Sequence, residues 1–188
     1  LPLIALVGLP GGGKSTVGRH LSRRLGCPLF DSDAVIEREL GTSIRAFFEQ
    51  HGEPAFRDVE ETVIDALTRV EAGVIATGGG AVLREANRHA LRERCTVVYL
   101  RSTPEELHRR LRYDTQRPLL QVRDPLGKLR ELYAQRDPLY RQAAHFVIET
   151  GRPSVQTLVN MILMQLELAG IVDMHVAESP VAPATPAA

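Results

Sequence analysis

Short apolar runs alternate with longer stretches of helical periodicity along the whole chain. The runs at 3–7, 28–31, 74–77, 96–100 and 146–149 read as strands. Leu3-Ile4-Ala5-Leu6-Val7 is apolar at every position, as a strand covered on both faces should be. Between the strands, apolar residues recur at helical spacing. Val17, His20, Leu21 and Leu25 make one such face, stopped at Gly26. The stretch 43–49 predicts a short helix ending near Gly52. Glu53-Pro54 then leads into a longer one, with Val59, Val63, Ala66, Leu67 and Val70 facing inward. The run from Arg84 to Arg94 reads as a charged, mostly solvated helix. Thr103-Pro104-Glu105-Glu106 is a helix start with proline at the first position and a capping box, and Leu107 and Leu111 face inward behind it. Asp124-Pro125 opens another helix, carrying Leu126, Leu129, Leu132 and Tyr133 inward and ending in the stretch 135–140. Ser154 caps the last one, whose inner face is Val155, Leu158, Val159, Ile162, Leu163 and Leu166. This rhythm predicts an α/β fold, an open parallel sheet with helices on both faces. In such sheets ligands bind beyond the carboxyl ends of the strands, so the residues that follow each strand are the ones to read for chemistry.

Composition changes that picture little. The 188 residues suit one domain, expected over 1–172, and 44% hydrophobic with 24% charged content is ordinary for a globular protein. Twenty-three basic and 23 acidic residues cancel, which argues against a nucleic-acid partner. No apolar run approaches a membrane span. Cys27 and Cys95 show no metal or redox spacing, which fits a reducing, cytoplasmic setting. The six histidines show no ligand spacing either. The chain opens at Leu1 without Met, so native residues are expected upstream. Residues 173–188 are rich in Ala and Pro without periodicity, and a disordered or loosely docked tail is expected there.

The chemistry concentrates after the strands. Gly8-Leu9-Pro10-Gly11-Gly12-Gly13-Lys14-Ser15-Thr16 follows the first strand and opens the first helix. The pattern G-x-x-x-x-G-K-[ST] in that setting is a phosphate-binding loop. Backbone N–H groups at the helix start attract an anion, Lys14 should reach the β- and γ-phosphates, and the Ser15 hydroxyl should ligate magnesium. After the second strand comes Asp31-Ser32-Asp33. In an extended segment both carboxylates share a face, suited to holding magnesium and to accepting a hydroxyl proton; Asp33 equally suits the N-cap of the next helix. Phe47, Phe48 and Phe56 cluster with Arg57. Phe47 reads as a core aromatic, whereas Phe48, Phe56 and Arg57 suit a small ring that bears a carboxylate. Gly78-Gly79-Gly80 after the third strand allows very close backbone approach by a ligand. Arg109 and Arg110 either face solvent or stack near a nucleotide base. A break in periodicity at 113–120, within a possible lid over about 112–123, carries Arg117, placed to reach transferring phosphate.

Taken together these landmarks resemble the shikimate kinase family. The set is specific: Asp31-Ser32-Asp33, Phe56-Arg57-Asp58-Val59-Glu60, Gly78-Gly79-Gly80, Arg117-Pro118-Leu119-Leu120 and Arg136-Asp137-Pro138-Leu139-Tyr140 occur in the family's order from Gly8 to about Pro153. The resemblance implies a P-loop kinase fold with strand order 2-3-1-4-5 and a mobile lid. It also implies a cytoplasmic enzyme of aromatic amino-acid biosynthesis, expected to be monomeric, that phosphorylates the 3-hydroxyl of shikimate with ATP and Mg2+. Residue by residue, it implies that Gly11, Gly12, Gly13, Lys14, Ser15 and Thr16 bind ATP phosphates, with Ser15 and Asp31 at the magnesium. Asp33 would bind the shikimate hydroxyls and act as base. Arg57 and Arg136 would hold the carboxylate, Glu60 would orient Arg57, and Phe48, Phe56, Gly78, Gly79 and Gly80 would complete an acceptor region over about 33–61 and beyond. Arg117 would lie near the phosphates, and Arg110, Arg152 and Pro153 near the adenine.

Three rivals share parts of this pattern, of which a nucleoside-monophosphate kinase would need a base-reading acceptor pocket that the sequence does not show. A gluconate kinase of the same fold should not need Arg57 and Arg136 together with a phenylalanine wall. A non-catalytic sensor built on the same domain need not keep Asp31, Asp33 and Arg117.

Overall fold

In the computed structural model, which describes residues 2–112, 121–151 and 153–174, β1 (Leu3–Val7) is buried at all five positions. A strand buried in this way needs cover on both faces, and its side chains divide accordingly. Leu3, Ala5 and Val7 enter one apolar cluster, and Ile4 and Leu6 the other. Its neighbours are parallel and the sheet order is β2-β3-β1-β4-β5, as expected, with β2 (Leu29–Asp31), β3 (Gly73–Ala76), β4 (Thr96–Arg101) and β5 (Phe146–Glu149). The chain order reverses beside β1, which opens a crevice at the carboxyl ends of β1 and β3.

Two helices cover the face of Ile4 and Leu6: α1 (Lys14–Leu25) and α8 (Val155–Leu168). Val17, Leu21 and Leu25 supply the inner face of α1. His20 is exposed, and Gly18 and Ser22 take the buried positions instead. The expected inner face of α8 is buried from Leu158 to Leu166. The other face is covered by α2 (Ser32–Leu40), α4 (Glu53–Leu67), α5 (Glu85–Arg94), α6 (Pro104–Leu111) and α7 (Pro125–Ala143), with α3 (Ile44–His51) packed beside α2 and α4. The buried face of α4 is Phe56, Glu60, Val63, Ile64 and Leu67, an i, i+4, i+7, i+8, i+11 stripe. Ala66 falls outside that stripe and is exposed, and Val59 is only partly covered. α5 is less solvated than its charges suggest, because Asn87, Ala90 and Leu91 are buried.

Helix starts follow the sequence signals. Ser43, Asp124 and Ser154 each accept a backbone N–H of the first turn, and Thr103 with Glu106 closes a capping box. At the other end of α7 the expectation fails. The helix does not stop in the stretch 135–140 but continues through Pro138 to Ala143. Proline cannot donate to the carbonyl four residues back, which normally breaks a helix. Here side-chain anchors flank the defect: the Tyr99 hydroxyl donates to Asp137 at 2.8 Å, and the Tyr140 hydroxyl donates to the Gly79 carbonyl at 2.5 Å.

Beyond α8 the chain stays packed further than periodicity suggests. Ile171 and Val172 lie against the cluster between α1, α8 and the sheet, and Met174 is itself buried there. The tail from 175 onward, the lid residues 113–120 with Arg117, and Arg152 lie outside the described residues. Among the described residues no helix is long and apolar enough to cross a membrane.

The packing at the chain's far end is testable. Met174→Ala should lower unfolding stability by about 2 kcal/mol, the low end for truncating a buried methionine. Urea unfolding measures this, and an unchanged midpoint would show that the chain is not docked at that position.

Candidate active site

The carboxyl ends of β1 and β3 open onto two adjoining cavities. The smaller, about 430 Å³, is formed by the loop between β1 and α1 with Asp31, Asp33 and Thr77. Gly13 stands at the N-cap of α1 with φ 88°, a left-handed conformation that favours glycine, and supplies no capping side chain. The first N–H groups of α1 are therefore not capped by a side chain, which suits an anion. Lys14 is buried and folds back over the loop, donating to the carbonyls of Gly8 at 2.6 Å and Leu9 at 2.9 Å. The Ser15 hydroxyl donates to Asp31 Oδ2 at 3.0 Å. Gly11, Gly13, Lys14, Ser15 and Thr16 all line this cavity. Gly12 is buried behind it, its N–H donating to the Leu9 carbonyl.

The two acids reach the cavity differently from the extended-strand expectation. Asp31 ends β2 and is the N-cap of α2, its Oδ1 accepting from the N–H groups of Asp33 and Ala34. Asp33 belongs to the first helical turn, not to an extended segment. Capping by Asp31 thus frees the Asp33 carboxylate, which lines both cavities.

The larger cavity, about 700 Å³, has a phenylalanine wall and a cationic floor. Phe48 from α3 and Phe56 from α4 pack with ring centroids 4.8 Å apart. Phe47 turns away and packs on His51 and the core. Arg57 lies beside the Phe56 ring, with its guanidinium carbon 5.1 Å from the ring centroid. It donates to the buried Glu60 at 2.8 Å and to the exposed Glu53 at 3.3 Å. Arg136 enters from α7, and its Nε is buried with no hydrogen-bond partner among the described residues. Such a donor costs stability unless something accepts from it, so the floor is built for an anion. A carboxylate against paired guanidinium groups fits that requirement.

Gly78-Gly79-Gly80 form the wall between these features, for a reason the sequence did not disclose. A Cβ on Gly78 would stand 2.5 Å from Asp33 Oδ1, and one on Gly79 would stand 2.5 Å from Cγ of Pro10. One on Gly80 would fall on the Arg57 guanidinium. The close approach is made by the protein's own side chains. Only Gly80 of the three lines the larger cavity. Sequence reading also passed over Pro10, which borders both cavities, and the apolar liners Ile44, Leu111 and Leu129. Leu111 was legible as inward-facing, but nothing in the sequence tells a core position from a cavity wall.

Burial dominates the electrostatics. It pushes the Asp33 carboxyl above its ordinary value of 3.8, and the neighbouring Asp31 charge adds to this while Lys14 opposes it. Burial also raises Glu60 above 4.5, with Arg57 opposing. At the far side of the phosphate loop, Arg110 donates to the Thr150 carbonyl at 2.5 Å, beside Gly151 and Pro153. Arg110, on the last turn of α6, thus reaches the segment that follows β5, at Thr150, three residues before Pro153.

Ser15 and Asp31 together offer hard oxygen donors that fit Mg2+, which binds through one or two protein ligands and keeps waters and phosphate oxygens for the rest. Among the described residues no group of three or more His, Cys, Asp or Glu side chains could enclose a metal alone. The donor set therefore suits an ion carried in with a polyphosphate.

Comparison with known proteins decides the family. The family model for shikimate kinase matches residues 10–167. The chain belongs to the shikimate kinase family. A shikimate kinase of Paracidovorax citrulli is 63% identical over 171 residues, covering 89% of this chain and 93% of its own. One of Ralstonia nicotianae is 57% identical over 177 residues, covering 94% and 93%. The solved structure of a shikimate kinase from Acinetobacter baumannii in complex with shikimate superposes with a TM-score of 0.85 at 47% identity, covering 92% of this chain and 96% of that one. The family's P-loop kinase fold, with its five-stranded 2-3-1-4-5 sheet, is the one described above.

The raised carboxyl of Asp33 makes a prediction about stability. Its folded value lies above its unfolded one, so the folded state binds the extra proton. Stability owed to this group is full below 3.8 and is lost as pH rises through the folded value. Asp33→Asn removes that loss. Urea unfolding across a pH series should show the variant gaining on wild type as pH rises from below 3.8 to neutrality. A constant difference, or a gain toward acid, would contradict the buried-charge assignment.

Proposed function

We propose that this member of the family transfers the γ-phosphoryl group of ATP to the 3-hydroxyl of shikimate, giving shikimate 3-phosphate and ADP. The observation that carries the reading is the shared wall: Asp33 borders both the phosphate-loop cavity and the phenylalanine-and-arginine cavity. A hydroxyl presented to Asp33 from the larger cavity faces the smaller one, where a γ-phosphate belongs.

Each cavity residue then has a task. Arg57 and Arg136 pair with the acceptor carboxylate, and Phe48 and Phe56 cover one face of its ring. Glu60 holds Arg57 over Gly80. Lys14 gives up the carbonyls of Gly8 and Leu9 to meet the β- and γ-phosphates, while the loop N–H groups of Gly11 and of Gly13 to Thr16 cradle them. Ser15 and Asp31 would hold Mg2+, which would supply charge neutralisation at the phosphates. Asp33 orients the 3-hydroxyl in line with the phosphorus. As the new P–O bond forms and the bond to ADP breaks, the hydroxyl proton passes to Asp33. Arg110 and Pro153 are assigned to the adenine; the expected roles of Arg152 there and of Arg117 at the phosphates fall on residues outside the described ones. The proposed acting unit is the monomer. The free thiols of Cys27 and Cys95 suit the cytoplasm, where ATP is supplied.

An ADP-coupled assay against shikimate, gluconate, quinate and nucleoside monophosphates tests the proposal. Turnover should be confined to shikimate, and equal use of gluconate would overturn it. Within that assay, Asp33→Asn should keep ATP–magnesium affinity and lose about 10²–10⁴ in kcat, the scale of general-base loss. Wild-type kcat in that variant would remove Asp33 as the base. Arg136→Ala should weaken the acceptor by roughly ten- to a hundredfold, matching about 1.5–3 kcal/mol for a charge-assisted hydrogen bond. Loss of ATP binding with shikimate binding intact would place the arginine on the wrong ligand.

A further inference from the structure

Just past the carboxyl ends of β4 and β5 lies a buried polar pair that the proposed function leaves without a task. The two strands pair in parallel up to Arg101 and Glu149, so Ser102 and Thr150 are next in register. Both are buried. Two apolar side chains would fill such a place at no polar cost, so the hydroxyls need a reason. Their bonds give one. The Thr150 N–H donates to the Arg101 carbonyl at 3.0 Å, and the Thr150 hydroxyl donates to the same carbonyl at 3.1 Å. That uses the one hydroxyl proton, so Ser102 is the donor in the contact between the two hydroxyls. Side chains thus continue the attachment of β5 to β4 where the main-chain ladder ends. Helix α6 grips the same place from outside. Glu106 and Arg110 are four residues apart and share a face of that helix. Arg110 donates to the Thr150 carbonyl at 2.5 Å, and a Cβ on Gly151 would stand 2.6 Å from Glu106 Oε1. Glu106 is itself held, because its Oε2 accepts from the Thr103 N–H at 3.0 Å. Thr150 is therefore bonded at its N–H, its hydroxyl and its carbonyl.

We propose that Thr150 is a positioning residue for the nucleotide base: its hydroxyl, held between Ser102 and the Arg101 carbonyl, fixes the Thr150 carbonyl as the anchor of Arg110 and so sets the Arg110 guanidinium against the adenine. An arginine side chain is long, and anchoring one of its nitrogens removes freedom that stacking on a base would otherwise cost. A guanidinium donates in its own plane, so the bond to Thr150 does not use its flat faces. Ser102 also lies under the phosphate loop, where a Cβ on Gly12 would stand 3.7 Å from its Oγ. The two ends of the nucleotide must therefore be tested apart.

This inference rests on the proposed place of the adenine, and binding measured without acceptor keeps it apart from the use of shikimate. Calorimetric titration with ADP and with pyrophosphate, each with magnesium, reports on the whole nucleotide and on its phosphates alone. Thr150→Val keeps the shape of the side chain and removes the hydroxyl. It should weaken ADP roughly tenfold, the worth of one hydrogen bond, and leave pyrophosphate within about twofold of wild type. Thr150→Ser keeps the hydroxyl and should return ADP to within about twofold of wild type. Thr150→Val added to Arg110→Ala should weaken ADP no further than Arg110→Ala alone. Ser102→Ala removes one partner of the hydroxyl and should show the same selective loss at about threefold, a second arm should Thr150→Val not fold. Unchanged ADP affinity in the folded variants, an equal loss for ADP and pyrophosphate, no rescue by serine, or full additivity with Arg110→Ala would each overturn the positioning role. Wild-type protein that binds ADP no better than pyrophosphate would instead overturn the place given to the adenine, and this inference with it.

Discussion

Three side chains stand where three β-carbons would otherwise be. Asp33, Pro10 and Arg57 occupy the space that any side chain on Gly78, Gly79 and Gly80 would need. Everything else about the site depends on that close approach. Pro10 and Asp33, the two residues common to both cavities, are the two that close over Gly78 and Gly79. With side chains on this turn, the two cavities would be pushed apart and Asp33 could not face both. The phosphate loop and the acceptor region come from distant parts of the chain, and the glycine turn after β3 is where they meet.

Around that turn the protein places charges under cover and balances them. Glu60 is buried and survives as a partner because Arg57 is 2.8 Å away. Breaking such a pair from one side leaves a lone buried charge, which is the costly outcome. Arg57 is therefore fixed from two sides, by Glu60 and by the wall of Gly80, before any ligand arrives. Arg136 is fixed from α7, a helix anchored through Asp137 to Tyr99 and through Tyr140 to Gly79. Preorganisation of this kind means that little ordering remains to be done when a charged ligand binds.

Much of this was legible in the sequence because it rests on local rules. β1 is apolar at each position, so its burial on both faces follows from composition alone. The phosphate loop needs glycines and a lysine in a fixed register, and Thr103 with Glu106 makes a local cap. What escaped depends on long-range contacts. Proline at 138 signals a helix end, and only the partners of Asp137 and Tyr140 on other elements explain its tolerance. The sequence offers Asp33 as the N-cap of the next helix, and only the turn into α2 gives that cap to Asp31. Met174 lies past the last periodic residue, and its burial depends on the groove beside α1 and α8. That the glycine run also makes room for Asp33, Pro10 and Arg57 is announced by no local rule.

The account's central claim is spatial: one carboxylate on the wall shared by two cavities, with a hydroxyl brought to it by two arginines. A crystal structure with ADP, magnesium and shikimate measures this directly. The account predicts the shikimate carboxylate on Arg57 and Arg136, and the 3-hydroxyl within about 2.6–3.2 Å of Asp33. Shikimate bound with its carboxylate away from both arginines, or with the 3-hydroxyl turned from Asp33, would contradict it.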